Sequence, residues 1–459
     1  MGLLLKLRKS SEALFEDDFF ENLRKREFSR LEKEKHVYLD YTGGNLYPES
    51  LVRRHFDYLK SNVFGNPHSM NPTSRLSTKY VESARKAVSK FFNANDYVVI
   101  FTANASGALH IVGENYPFED DGFLMLSSDN HNSVNGIREY CKNKGGRFVY
   151  SPLNYEDLSL NEQFLDEALL KESGATNKLF AYPAQSNVSG VRHPLAYIEK
   201  FQKAGWDVLL DAAAYVPTSR LDLSVYKPDF VSVSFYKIFG FPTGIGCLLV
   251  RKDKFSKLHK RWFAGGTVSL VSVNVDNHYL ANNHERFENG TVNYLEIPAI
   301  ERGLDFMEGI GMGRLNERVA ALTAYLIHSL STLKHRNGNE LVRIFGPTNR
   351  KDRGGNIILN FYNQTGAAHP FEEIEAMASS RMISLRGGCF CNPGIDEVNN
   401  CVSTDELARY YTSRDKGDYY DMIAFLGKMR GAIRLSVGMA TTKADIDAFV
   451  KFASTLLDK

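Results

Sequence analysis

The chain has 459 residues, 43% hydrophobic and 24% charged, a length that suits two or three domains with substantial cores. Its 56 basic and 54 acidic side chains leave a net charge of +2, which supplies no whole-protein field for nucleic acid or a membrane surface. No apolar run approaches the roughly 20 residues that span a bilayer. The N-terminus "MGLLLKLRKSSEALFEDDFFENL" turns acidic after a short leucine run and reads as neither a signal nor a transit peptide. Lys6 stands where a myristoylation signal after Gly2 wants Ser or Thr. The expected compartment is the cytoplasm. The five cysteines are unevenly placed: Cys141 and Cys247 stand alone, whereas Cys389, Cys391 and Cys401 crowd together. In a reducing compartment that crowding suggests chemistry or metal more than disulfides.

In chain order, a helical arm over about 11–35 precedes "HVYLDYTGGN", a strand and turn. "TKYVESARKAVSKFF" (78–92) has helical spacing and "YVVIF" (97–101) is a buried strand. Strand-like runs come next at 122–127, 146–152, 178–184, 207–213, 230–235 and 244–250, with helices such as 133–145 and 194–205 between them. The alternation predicts an α/β fold, a mostly parallel sheet flanked by helices, over 36–295. From 296 to 459 long helices (297–311, 315–333) and shorter strands (356–362, 431–437) predict a smaller α+β domain, with the 1–35 arm packed against it. There is no internal repeat and no low-complexity linker.

Ligands in open α/β sheets sit beyond the carboxyl ends of the strands, and those ends carry a set of polar residues. The "ANASG" turn after 97–101 places Ser106 at a helix N-terminus, a site for phosphate or an ordinary cap. It is neither a Walker loop nor G-x-G-x-x-G. His131 comes after the 122–127 strand, either solvated or stacked on an aromatic cofactor. Gln185, Ser186 and Asn187 come after the 178–184 strand as potential donors to a carboxylate or phenolic oxygen. Asp211 ends "DVLLD", either a cap or the partner of a protonated pyridine nitrogen. Lys237 in "SFYKIFGFPTGIG" lies between a strand and a glycine-rich turn, where it either snorkels or forms a Schiff base. Phosphate turn, histidine, aspartate and lysine in that order favour a pyridoxal phosphate site.

These residues sit in motifs that resemble the class V, fold-type I pyridoxal-phosphate enzymes, in the cysteine desulfurase branch, with the NifS-like amino-terminal domain of the molybdenum cofactor sulfurases the closest pattern. The motifs include "LDYTGGN", "FGNPHS", "FTANASGAL", "DNHNSVNGIREY", "QSNVSGVRHP", "LLDAAAYVPT", "SFYKIFGFPTGIGCLLV", "RFENGTVNYLEI", "RGGCFCNPG" and "IRLSVG", from about 37 to 455. The resemblance implies that Lys237 carries the cofactor, Asp211 partners its ring nitrogen and His131 stacks on its ring. Ala105, Ser106 and Ser234 match the phosphate cradle, and Tyr236 stands where simpler desulfurases have a histidine. Asn187 matches a residue near substrate and the phenolic oxygen. Thr291 resembles a phosphate contact given to the neighbouring subunit, hence a homodimer with shared active sites. Arg434 matches the clamp on the substrate carboxylate, Arg386 is expected to bind substrate as well, and His131 and Arg386 are expected to help form the catalytic cysteine thiolate.

"RGGCFCNPG" then corresponds to the sulfur-accepting loop, and counting five residues from Arg386 gives Cys391 rather than Cys389. The implied activity is removal of sulfur from L-cysteine as a Cys391 persulfide, with release of L-alanine and transfer to an acceptor protein or small molecule. An aminotransferase, epimerase or carbon–sulfur lyase would use the same cofactor. No metal site is expected, because the Cys-x-Cys pair and a third cysteine lack an evident fourth ligand. The chain departs from the pattern at Gly387, where a threonine is usual, at "IDEVNN" after the loop, and in the three alanines after Asp211. With its end at 459, the chain is expected to lack the carboxy-terminal domain of full sulfurases.

Overall fold

The computed structural model describes residues 18–459 except 120, 173, 350, 351 and 429. The part of the expected arm over 11–17 therefore lies outside the described residues. Its continuation, Asp18–Glu27, is a helix whose buried Arg24 donates to Asp445 at 2.7 Å and to the carbonyl of Ala440 at 2.5 Å, tying it to the last helix, Lys443–Ser454.

The main sheet contains β1 (Tyr97–Thr102), β2 (Phe123–Ser127), β3 (Arg147–Ser151), β4 (Lys178–Pro183), β5 (Asp207–Asp211), β6 (Phe230–Ser234) and β7 (Gly246–Arg251). Their spatial order is β1-β7-β6-β5-β4-β2-β3, and β7 alone runs antiparallel to its neighbours. The strands read as continuous apolar runs because both faces are covered. Val208, Leu210, Val231 and Val233 enter one core, while Leu209, Phe230, Leu179 and Ala181 enter another with the Ala105–Asn115 helix. This is the mostly parallel, helix-flanked sheet expected from the alternation.

A hairpin of β8 (Val268–Ser272) and β9 (Asn277–Leu280) comes next in the chain. A second sheet contains β10 (Val342–Phe345), β11 (Asn356–Phe361), β12 (Arg386–Gly388) and β13 (Ala432–Ser436), in the spatial order β10-β11-β13-β12, all antiparallel. The segment before the main sheet joins this one: Val37–Tyr38 pairs with Ile383–Ser384, and Asp40 bridges to Ser436.

Two local readings change. The helix expected from 78 begins at Pro72, because Asn71 accepts a hydrogen bond from Ser74 N and proline is tolerated in the first turn. The helix expected over 133–145 is two short ones, Asn132–Asn135 and Ile137–Asn143, meeting at Gly136. Lys237 lies in a one-turn helix, Phe235–Phe239, between β6 and Gly240, in keeping with its expected place between a strand and a glycine-rich turn. Gly240 ends that turn at φ 80°, and a Cβ there would lie 2.4 Å from Tyr47 N, so glycine alone fits. Among the described residues, no helix is long and apolar enough to cross a membrane.

Candidate active site

Because β1, β2, β4, β5 and β6 are mutually parallel, their carboxyl ends converge on one edge. A cavity of about 140 Å³ opens there, and Ala105, Ser106, His131, Asn187, Asp211, Ser234, Tyr236 and Lys237 all line it, with Gln185. Eight residues chosen from separate stretches of sequence are thus brought to one place.

Asp211 is held by its Oδ1, which accepts from Ser232 Oγ at 2.9 Å and from Ala213 N at 3.1 Å, so one oxygen is fixed to the sheet. Burial lowers the pKa of Lys237 from its usual 10.5; Asp211 opposes this and Arg434 reinforces it. The amine is therefore easier to deprotonate than an exposed lysine. His131 is pushed down from 6.5 by burial first and by the Lys237 charge second. Its Nδ1 accepts from Ser133 N at 3.1 Å, which places the proton of the neutral ring on Nε2. Ser106 Oγ lies 2.6 Å from Ser133 Oγ at the start of the Ala105–Asn115 helix, where Ser234 Oγ receives the Ala105 N–H at 2.8 Å.

The cysteine loop comes from the second sheet and closes on these strand ends. Cys391 O accepts from Asn132 N at 2.7 Å, next to His131. Asn187 Nδ2 donates to Phe390 O at 2.9 Å, and Asn187 Oδ1 accepts from Asn392 Nδ2 at 3.0 Å. Asn392, fully buried, also donates to Asp129 O at 2.6 Å, clasping the loop to the turn after β2. Phe390 (φ 57°) and Cys391 (φ 55°) are consecutive non-glycine residues in the left-handed region, a costly backbone held by these contacts. Cys391 is exposed, whereas Cys389 is half-buried and its thiol is pushed up by burial and by Asp396.

Arg434 is 3% exposed; it donates to Asn187 O and to Asp40 Oδ1, both at 3.0 Å, and its guanidinium lies 4.9 Å from the Phe390 ring centre. Arg386 pairs with Arg434 in register across β12 and β13 and is tied to Asp40 through Nη2 at 2.6 Å and Nε at 3.1 Å. Thr291 does not line the lysine cavity. It accepts from Asn66 Nδ2 at 3.3 Å and faces a neighbouring cavity of about 350 Å³ against Thr102, Ala103 and Gly107, on the other flank of the same helix start. Among the described residues no cluster of His, Cys, Asp and Glu is able to hold a metal ion.

Sequence reading missed Asp40 and Asn392 as members of the site, although the motifs "LDYTGGN" and "RGGCFCNPG" contain them. Neither an aspartate after a short strand nor an asparagine before proline carries a local mark of its distant partners.

The sequence model of the Aminotransferase class-V family matches residues 37–449. The chain is 37% identical over 462 residues to a molybdenum cofactor sulfurase of Homo sapiens, covering 94% of this chain and 50% of that protein. It is 37% identical over 464 residues to one of Drosophila mojavensis, covering 93% and 58%. It thus spans between half and three-fifths of the length of these curated relatives. Among solved structures it is similar to an apo cysteine desulfurase from Thermococcus onnurineus NA1 (TM-score 0.78, 24% identity, 95% of this chain and 98% of that one). It is likewise similar to the cysteine desulfurase CsdA of Escherichia coli in an S-sulfonic acid form (TM-score 0.74, 21% identity, 95% and 99%). At these identities the structural likeness is one of fold.

Proposed function

Because the chain belongs to the class-V aminotransferase family, whose cofactor is pyridoxal 5'-phosphate, we propose that it is a cysteine desulfurase of the kind found in molybdenum cofactor sulfurases. It takes sulfur from L-cysteine onto Cys391, releases L-alanine and hands the sulfur to an acceptor. The observation that carries this reading is the closure of the cysteine loop on the lysine cavity, with Cys391 O on Asn132 N and Phe390 O on the cavity residue Asn187. A transaminase needs no thiol there.

The donor set fits the cofactor. Lys237 supplies a buried amine of lowered pKa, and Asp211 has one carboxylate oxygen without a partner among the described residues, able to meet a ring N–H. The helix start with Ser106 and Ser234 suits a phosphate. When bound, pyridoxal phosphate supplies an aldehyde and a protonated ring that draws charge from the substrate α-carbon.

Each of the chain's own residues then has a task. Asp211, anchored by Ser232, holds the proton at the ring nitrogen. Lys237, its pKa lowered by burial, takes the α-proton and returns a proton to carbon. His131 stays neutral and presents Nε2–H to the cavity. Arg434 receives the substrate carboxylate, a planar task suited to guanidinium. The Cys391 thiolate attacks the substrate sulfur: the S–S bond forms, the Cβ–S bond breaks with its electron pair left on carbon, and protonation of that carbon gives alanine. One sulfur is oxidised as one carbon is reduced, so no external oxidant is required. Thr291, facing the opposite flank of the phosphate helix, is read as serving a second copy of the chain in a homodimer.

Incubation of the purified protein with L-cysteine, with alanine quantified and the sulfur located by mass spectrometry, tests the reading. Alanine equal to sulfur with the extra atom on Cys391 supports it. Pyruvate with ammonia, or a keto acid, sinks it in favour of a lyase or transaminase. Cys391→Ala is expected to retain the cofactor's colour and form no persulfide, whereas Cys389→Ala retains turnover.

A further inference from the structure

β12 and β13 place two guanidiniums side by side, since Arg386 and Arg434 are directly opposite in an antiparallel pair. Like charges in that position repel, and Arg434 has almost no water to screen it. The cluster holds because Asp40 stands between them. Its Oδ2 accepts from Arg386 Nη2 at 2.6 Å and from Nε at 3.1 Å, while its Oδ1 accepts from Arg434 Nη2 at 3.0 Å. Asp40 is 8% exposed and is itself fixed, because its carbonyl accepts from Gly43 N at 3.0 Å and Gly44 N at 3.2 Å. Ser436 N bonds the adjacent Leu39 O at 2.7 Å, so Asp40 moves with β13 and keeps its distance from Arg434. Gly43 leaves room for the pair: a Cβ there would lie 2.5 Å from Asp40 Oδ2 and 2.7 Å from Arg386 Nη2.

Two arginines and one aspartate sum to a single positive charge. Arg434 Nε, buried and without a partner among the described residues, shows that the guanidinium is not saturated by the chain. We propose that Asp40 is a positioning residue for substrate recognition: it holds Arg434 from behind, occupies Arg386, and leaves one cationic charge to receive one α-carboxylate. The inference rests on Arg434 being the carboxylate site of the proposed reaction. It assigns Arg386 to the Asp40 pair rather than to direct contact with substrate.

Asp40→Asn in the holoenzyme removes the charge at constant shape, and Gly43→Ala parts the Asp40–Arg386 pair by steric pressure without altering any charge. Turnover of L-cysteine is followed with L-alanine as a carboxylate-bearing competitor and ethylamine as one that lacks it. The KM for L-cysteine and the inhibition constant of L-alanine are expected to rise about tenfold or more in Asp40→Asn, the scale of a charge-assisted contact. Ethylamine is expected to stay within about twofold, and Gly43→Ala to show the same selective pattern at smaller size. Ethylamine and L-alanine weakened alike, or an unchanged KM in whichever variant folds, overturns the inference. Failure of the underlying reading is separately visible: Arg434→Lys would leave the KM of the otherwise unaltered protein unchanged.

Discussion

Lys237 and Asp211 stand at the ends of strands buried on both faces, while Cys391 hangs in a turn of left-handed residues from the edge strand β12. The lysine side is rigid because β5 and β6 have neighbours on both sides, and apolar packing on either face leaves the polar ends nowhere else to point. The cysteine side has a single paired edge and is held in place by amides: Asn392 on Asp129 and Asn187, Asn132 on Cys391. A proton-handling group needs a fixed position and a lowered pKa, which burial supplies. A sulfur carrier has to meet substrate on one side and an acceptor on the other, and a few hydrogen bonds are easier to release than a core.

The largest break in this contrast is Lys237→Met. Loss of the amine is expected to lower alanine formation by about 10⁴-fold, the upper scale of a general acid–base group. The same substitution sharpens the electrostatic side in the cofactor-free protein. The folded state lowers the Lys237 pKa below 10.5, so between the folded value and 10.5 the unfolded chain binds more protons and stability rises with pH. The stability advantage of Lys237→Met over the parent is therefore largest at neutral pH and shrinks as pH climbs toward 10.5. Urea unfolding of both proteins across that range measures it, and a constant difference contradicts the burial argument.

Asn392→Ala addresses the other side. Removing a side chain that holds two parts of the main domain frees the loop, and persulfide formation is expected to fall about ten- to hundredfold, the equivalent of one buried hydrogen-bonded group. The absorbance of the bound cofactor stays as in the parent, and amide exchange rises over 388–392. Equal loss of cofactor and persulfide would show that the two sides are one cooperative unit. The smallest effect is a control remote from both. Asn71→Ala removes the cap on the Pro72–Phe91 helix and is expected to cost about 1 kcal/mol of stability without changing turnover.

How much could be read from the residues divides along the same line. Lys237, Asp211, His131 and Ser106 were legible because each closes or succeeds a strand whose apolar run is itself visible, and strand ends in a parallel sheet share one edge. Asn187 was legible as a polar group near the site, but its engagement by Phe390 and Asn392 was not, since those partners lie over 200 residues away. The early start of the Pro72–Phe91 helix was written in Asn71–Pro72 and passed over in favour of the later apolar spacing.

By itself the chain determined its alternating architecture, the order of groups along one sheet edge and the presence of a glycine-flanked cysteine pair, because these depend on local periodicity and on the fixed geometry of parallel strands. Only the tertiary structure decided that the cysteine loop docks on Asn132 and on the cavity residue Asn187, that Asp40 separates two arginines, and that Thr291 turns to the outer flank of the Ala105–Asn115 helix. Those outcomes depend on how a second sheet docks across the first. Charge neutrality and hydrogen-bond satisfaction at that junction are properties of residues hundreds of positions apart, and no window of sequence contains them.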